Sequence, residues 1–367
     1  MKRTRKLALA ALLTAAVALI GASAGAAKHS AAPYKVAWIY VGPHNDGGWS
    51  QAHENGRLYV QKMLGSKVQT TYKENIAVGA QFSQTVASLV AQGYKLIFAT
   101  SYGYVNKAFA AKYPNVLFEQ ATGTDVSKNL SEYFGKAEDT VFLSGMAAGA
   151  ASTTGNIGNV VAYPIPEVIR HANAFALGAQ LTHPGATVHL VWTHSWFDPA
   201  AEKKAAQSLH TAGADVLGQN VDSPAAGQFA ESVGIPWVGY DSDAAKFAPK
   251  SWLTASVYNW GPYYLKRVKA AMAGTWKPGF YYGTINDGFT TLAPYGAGVT
   301  AATKAKIATY EKKIENGSYY EFTGPLYDQS GKLRVAKGVK MQVLKGGTNS
   351  LYGMNWLVKG VVGSPKG

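Results

Sequence analysis

From residue 34 onward, short apolar runs alternate with segments of helical periodicity, and nothing else in the chain limits its fold so strongly. Strand-like runs fall at 35–42, 95–100, 115–120, 157–163, 187–193, 215–220, 236–241 and 253–258. Helix-like segments lie between them at 49–64, 79–92, 102–112, 138–153, 167–181, 198–212, 223–233 and 260–273. A helix between two strands carries the chain back across the sheet, so consecutive strands run parallel. The alternation therefore predicts an α/β fold of parallel sheets with helices on both faces. One closed barrel of eight units and two open sheets both satisfy it.

The chain has 367 residues, 47% of them hydrophobic, enough for a large core and for two or more domains. Its first residues are set apart. Lys2, Arg3, Arg5 and Lys6 precede the apolar run LALAALLTAAVALIG and then the small residues ASAGAA. This is the order of a secretory signal peptide, and the run is shorter than the roughly 20 residues of a membrane span. Residues 1–27 are expected to be cleaved, which removes four basic residues and takes the net charge from +14 to +10. There is no cysteine, so disulfides, thiolate metal sites and a lipid anchor at the cleavage site are excluded. A soluble exported protein is expected, in the periplasm of a two-membrane bacterium. Lys and Arg outnumber Asp and Glu by 35 to 21, but they are scattered, so a solvated basic surface is expected and no nucleic-acid partner.

In an open parallel sheet the ligand sits beyond the carboxyl ends of the strands. Here those ends carry GGW (47–49), SYGY (101–104), SWFDP (195–199), VDSP (221–224), YDSD (240–243) and YNWGPYY (258–264). Any one Asp there could be a helix cap, and any one aromatic a lid on the core. Six such loops in phase with the strand ends favour two sheets facing one another across a cleft.

Catalytic motifs are sparse. The one G-x-S-x-G, Gly21 to Gly25, falls in the signal peptide. There is no H-E-x-x-H, no P-loop and no strand-linked G-x-G-x-x-G, and the histidines do not fall at metal-ligand spacings. Neither an enzyme nor a cofactor is expected.

The motifs DGGW (46–49), PIPEVIRHANAFALGA (164–179), SWFDPAAEKKAA (195–206), GYDSDAAKFAPKSWLTASVYNWGPYY (239–264) and DGFTTLAPYG (287–296) carry a resemblance. Over about residues 34–362 the chain resembles the basic membrane protein (BMP) family of substrate-binding proteins from ABC transporters. The resemblance implies a type I periplasmic-binding fold, with two α/β lobes, three crossing segments and a ligand cleft. On that basis lobe one is expected at 34–142 plus 259–285, and lobe two at 143–258 plus 286–362.

It also implies a purine base or nucleoside as ligand and an ABC permease as partner, the binding protein itself acting as a monomer. Trp49 of one lobe and Trp196 of the other are expected to stack on the ring. Asp222 or Asp241 is expected to accept from its N–H edge, with Ser101, Tyr102 and Glu119 contributing from the first lobe. Nucleoside-binding members carry an acidic residue near Ser101 and a lysine near Asn259. This chain has Ser-Tyr and Asn-Trp there, and Trp260 would close off room for a sugar, so a bare, adenine-like base is favoured. A sensory binding protein serving a signalling partner and an exported nucleoside hydrolase are the alternatives.

Overall fold

The computed structural model describes residues 32–343 and 350–367; the expected signal peptide, residues 1–27, lies outside the described residues. The chain begins with β1 (Tyr34–Ile39), α1 (Trp49–Leu64), β2 (Val68–Lys73), α2 (Ala80–Ala91), β3 (Leu96–Ala99), α3 (Lys107–Ala111), β4 (Leu117–Ala121) and β5 (Leu130–Gly135). It crosses to a second sheet through α4 (Ala137–Ala151) and continues with β6 (Asn156–Val161), α5 (Pro166–Thr182), β7 (Thr187–Trp192), α6 (Pro199–Thr211), β8 (Val216–Asn220), α7 (Ala225–Val233), β9 (Trp237–Asp241) and β10 (Trp252–Tyr258). It returns by α8 (Trp260–Met272) to β11 (Phe280–Gly283), then crosses again to β12 (Thr290–Leu292), α9 (Ala301–Glu315), β13 (Leu326–Tyr327), β14 (Leu333–Val335) and β15 (Val361–Val362).

Two open sheets result. The first runs β11-β5-β4-β3-β1-β2, all parallel. The second runs β12-β10-β9-β8-β6-β7-β15, parallel except for β12 against β10. Each sheet reverses its winding once, between β1 and β3 and between β6 and β8, and such reversals open a crevice at the strand carboxyl ends. The barrel alternative is thereby set aside.

Alternation is not strict. β4 leads straight into β5 without a helix, and β2 had no counterpart among the strand-like runs. β2 is an edge strand whose residues, VQTTYK, are half-exposed after the first, so it never forms an apolar run. β5, LSEYFG, is buried throughout but carries Ser131 and Glu132, which broke the apolar pattern. Gly103 (φ +78) and the turn around it delay α3, so a helix expected over 102–112 is confined to Lys107–Ala111.

The first core centres on Trp38 of β1, stacked on Phe98 of β3 with centroids 4.7 Å apart, and Tyr264 of α8 closes over both. In the second lobe α4 and α5 approach until their backbones touch. A Cβ on Gly145 would lie 2.2 Å from the Phe175 carbonyl oxygen, and one on Gly178 1.9 Å from that of Phe142. The C-terminal segment is bound to α5. Asn173 donates to the Trp356 carbonyl at 2.8 Å and accepts from the Val358 N–H at 2.9 Å. Among the described residues no helix is long and apolar enough to cross a membrane.

Candidate functional site

Between the two sheets lies a narrow cavity lined by Val41, Trp49, Ser101, Tyr102, Thr122, Glu167, Trp196, Asp222, Tyr240 and Asp241. Each lining residue sits at, or just beyond, the carboxyl end of β1, β3, β4, β6, β7, β8 or β9, or opens α1. Both winding reversals contribute, Val41 and Ser101 from the first sheet and Glu167 and Asp222 from the second.

The turn carrying Trp49 is built by Asp46. Its carboxylate accepts from the backbone N–H groups of Gly48, Ser50 and Gln51, each at 2.9 Å, and so satisfies the exposed first turn of α1. Burial pushes the Asp46 carboxyl up to about 6 despite those three donors. Gly47 has φ +90, and Gly48 packs so tightly that a Cβ there would lie 2.3 Å from the Asp222 carbonyl oxygen. Ser242 donates to the Gly47 carbonyl at 2.5 Å. The GGW turn of the first lobe thus touches the VDSP and YDSD turns of the second.

Trp49 is both packed and facing the cavity. Its indole N–H donates to the Thr100 carbonyl at 2.6 Å, and its ring meets Tyr258 and Trp260 nearly at right angles (89° and 80°). Behind it Trp260 is stacked between Tyr258 (4.6 Å, 16°) and His53 (4.4 Å, 20°). His53 in turn bonds the Tyr264 hydroxyl through Nδ1 at 2.5 Å. This stack fixes the plane of Trp49. Trp196 is half-buried, with its ring at 60° to that of Tyr163.

The electrostatics are one-sided. Three carboxyl groups, Glu167, Asp222 and Asp241, line the cavity, and among the described residues no lysine, arginine or histidine does. Asp222 Oδ2 and both carboxyl oxygens of Asp241 are buried without a hydrogen-bond partner among the described residues. Burial raises both aspartates well above the usual carboxylate range. Asp46 and Asp241 add to the effect at Asp222, and Glu167 and Asp46 at Asp241. Burial also pushes Glu167 up to about 7, against the pull of Arg170. The backbone is constrained at the same place. Thr122 (φ +72) and Asp241 (φ +66) are non-glycine residues in the left-handed region, where a β-branched threonine is an outlier.

Of the residues anticipated from the sequence, Trp49, Ser101, Tyr102, Trp196, Asp222 and Asp241 line the cavity. Glu119 and Trp260 do not. Glu119 points to the back of the first lobe, where it pairs with Arg267 and accepts from Tyr263 at 2.7 Å and Trp276 at 2.6 Å, so its lone pairs are already engaged. Trp260, 1% exposed, supports Trp49 from behind. Val41, Thr122, Glu167 and Tyr240 were not anticipated. Their signal was positional: Val41 and Thr122 follow strands, Tyr240 lies near the end of β9, and Glu167 opens α5 within the PIPEVIRH motif.

A family described as ABC transporter substrate-binding protein, PnrA-like, matches residues 34–318. A purine-binding protein of Brucella abortus is 38% identical over 92% of this chain and 95% of its own length. A putative ABC transporter glucose-binding protein of Haloferax volcanii is 33% identical over 80% of this chain and 75% of its own. Among solved structures, an ABC transporter solute-binding protein of Aeropyrum pernix superposes with a TM-score of 0.69 at 15% identity, covering 78% of this chain and 92% of that one. One from Conexibacter woesei gives 0.65 at 20% identity over 78% and 98%.

Proposed function

Because the chain belongs to the PnrA-like (BMP) family of ABC transporter substrate-binding proteins, we propose that it captures a purine base or nucleoside in the cavity between its sheets and presents it to an ABC permease. The observation that carries the ligand class is the pairing of aromatic walls with unpartnered buried acceptors. Trp49 and Trp196 line the cavity for a flat ring to stack on, and Asp222 and Asp241 offer buried oxygens that a ligand's donors would satisfy. A purine supplies both a ring and an N–H edge. The Brucella abortus relative, itself a purine-binding protein, supports the same class.

Capture proceeds by closure. The ligand docks on one lobe, the crossing segments rotate, and the turns at Gly47–Gly48 and Asp222 seal it in, the closed form being favoured by the contacts that only it can make. The ligand is held and released without chemical change. The mature protein acts in the periplasm, as a monomer, after loss of the signal peptide. Titration calorimetry with adenine, hypoxanthine, guanine and adenosine, and with glucose because of the Haloferax volcanii relative, tests the reading. Binding of at least one purine and no binding of glucose supports it; glucose alone binding overturns it. Mass spectrometry of a periplasmic extract tests the location, and recovery of unaltered adenosine after incubation tests the absence of hydrolysis.

A further inference from the structure

A second, roomier chamber adjoins the first cavity and shares Tyr102, Thr122 and Glu167 with it. Phe134, Ile165 and Pro166 form its apolar wall, and Arg170 and Tyr352 its polar one. Its unmet hydrogen bonding is the reverse of that in the first cavity. Arg170, 1% exposed, has Nε–H and Nη2–H without acceptors among the described residues, and the buried Tyr352 hydroxyl has no partner either. Glu138 does not fill the gap. Its Oε2 stands 3.5 Å from Arg170 Nε, and both its oxygens already accept from the Tyr282 hydroxyl at 2.9 Å. The guanidinium lies instead against the rings of Phe134 and Tyr352, 5.4 and 5.1 Å from their centroids. Buried donors are rarely left without acceptors, so three of them on the two residues that form the chamber's polar wall point to an acceptor that arrives from outside.

We propose that this chamber is a second subsite of the cleft, in which Arg170 and Tyr352 donate to an oxygen-bearing, uncharged group of the ligand while the ligand's N–H edge faces Asp222 and Asp241. The proposal rests on the purine reading of the first cavity. The group is uncharged because Arg170 is already balanced by Glu138 and faced by Glu167. A hydroxyl or carbonyl oxygen accepts there without adding a further negative charge. Trp260, expected from the sequence to close off room for a sugar, lines neither space and so takes no room from either. Tyr352 lies beyond residue 318, where the family match ends, so this donor is supplied by the C-terminal segment clamped to α5 through Asn173.

The test is calorimetry on wild type, Tyr352→Phe and Arg170→Lys with four ligands: adenine, which has no oxygen; hypoxanthine, with a ring carbonyl; adenosine, with a hydroxylated arm; and AMP, with an anionic one. Hypoxanthine or adenosine should bind wild type at least about tenfold more tightly than adenine, and AMP no more tightly than adenosine. Whichever of the two gains identifies the oxygen as ring-borne or arm-borne. Tyr352→Phe removes an O–H that has no partner among the described residues, so the fold should stand. It should weaken the favoured ligand about five- to tenfold and narrow its margin over adenine, with Arg170→Lys acting in the same direction. Adenine binding as tightly as the other ligands, AMP binding most tightly, or Tyr352→Phe weakening every ligand equally would each overturn the subsite while leaving the purine reading intact. Wild type binding none of the four would overturn both.

Discussion

Glu119 and Asp241 both lie on central parallel strands, on β4 and at the end of β9, and both are essentially removed from water at 0% and 1% exposure. Their surroundings differ completely. Glu119 has Arg267, Tyr263 and Trp276 around it, and every element of that arrangement comes from the first lobe and its returning helix. Asp241 has no hydrogen-bond partner for either oxygen among the described residues and sits in a left-handed conformation. A carboxylate that the protein itself neutralises holds the fold together. One left without a donor in a cavity, close to other acids, costs stability, and the proposed ligand would supply the missing donors. Burial alone does not separate the two cases; the inventory of donors does.

The comparison can be broken most easily through stability. Glu119→Ala leaves Arg267 half-buried and unpaired, and should cost about 3–5 kcal/mol in urea unfolding, with the purine affinity of the remaining folded protein little changed. Asp241→Asn should cost far less stability or raise it, since the amide needs no counter-charge. Equal losses in the two variants would show that Asp241 has a structural partner after all.

Affinity should follow the opposite order. Asp241→Asn, Asp222→Asn, Trp49→Ala and Trp196→Ala should each weaken purine binding by about 1–3 kcal/mol in calorimetric titration, whereas Glu119→Gln should leave it within error of wild type. Gly48→Ala sharpens the same contrast from the side of closure. The added methyl would meet the Asp222 backbone rather than a movable side chain, so the closed form should lose about 1–3 kcal/mol, read as weaker binding with an unchanged melting temperature.

The smallest expected effect is the pH slope of the ligand-free protein. Asp222 and Asp241 are raised well above the usual carboxylate range, Glu167 to about 7 and Asp46 to about 6. A carboxyl with a raised folded-state pKa binds more protons folded than unfolded. Its stabilisation is therefore present below the unfolded value of about 4 and is lost as pH rises through the folded value. The melting temperature should fall between about pH 4 and 7, and the fall should be shallower in Asp222→Asn. A melting temperature that rises across this window would contradict the uncompensated cluster.

Much of the fold was legible because parallel strands buried on both faces read as apolar runs, as IFA does in β3 and NVV in β6. β2 was hidden because an edge strand needs no apolar run, and β5 because the structure buries Ser131, which donates nothing to an apolar pattern yet accepts from Arg267 and the Gly279 N–H. In the site, the loops at strand ends pointed to Trp49, Trp196, Asp222 and Asp241. Thr122 and Glu167, after β4 and β6, are ordinary residue types in sequence and become unusual only in the structure, Thr122 through a positive φ and both through a shared cavity.

By itself the amino-acid sequence determined the α/β class, the phase of the functional loops against the strands, and the family, since each is carried by local periodicity or by contiguous motifs. Only the tertiary structure decided which buried acid is satisfied. Glu119 and Arg267 are 148 residues apart and Glu119 and Trp276 are 157, and no local pattern records that they meet. The same holds for Tyr352 and Arg170, whose ring and guanidinium lie 5.1 Å apart across α5 and the C-terminal segment. Whether a buried charge is compensated is a property of three-dimensional neighbours, and that property separates the acid that the fold itself neutralises, Glu119, from those that line the cavity without a partner among the described residues.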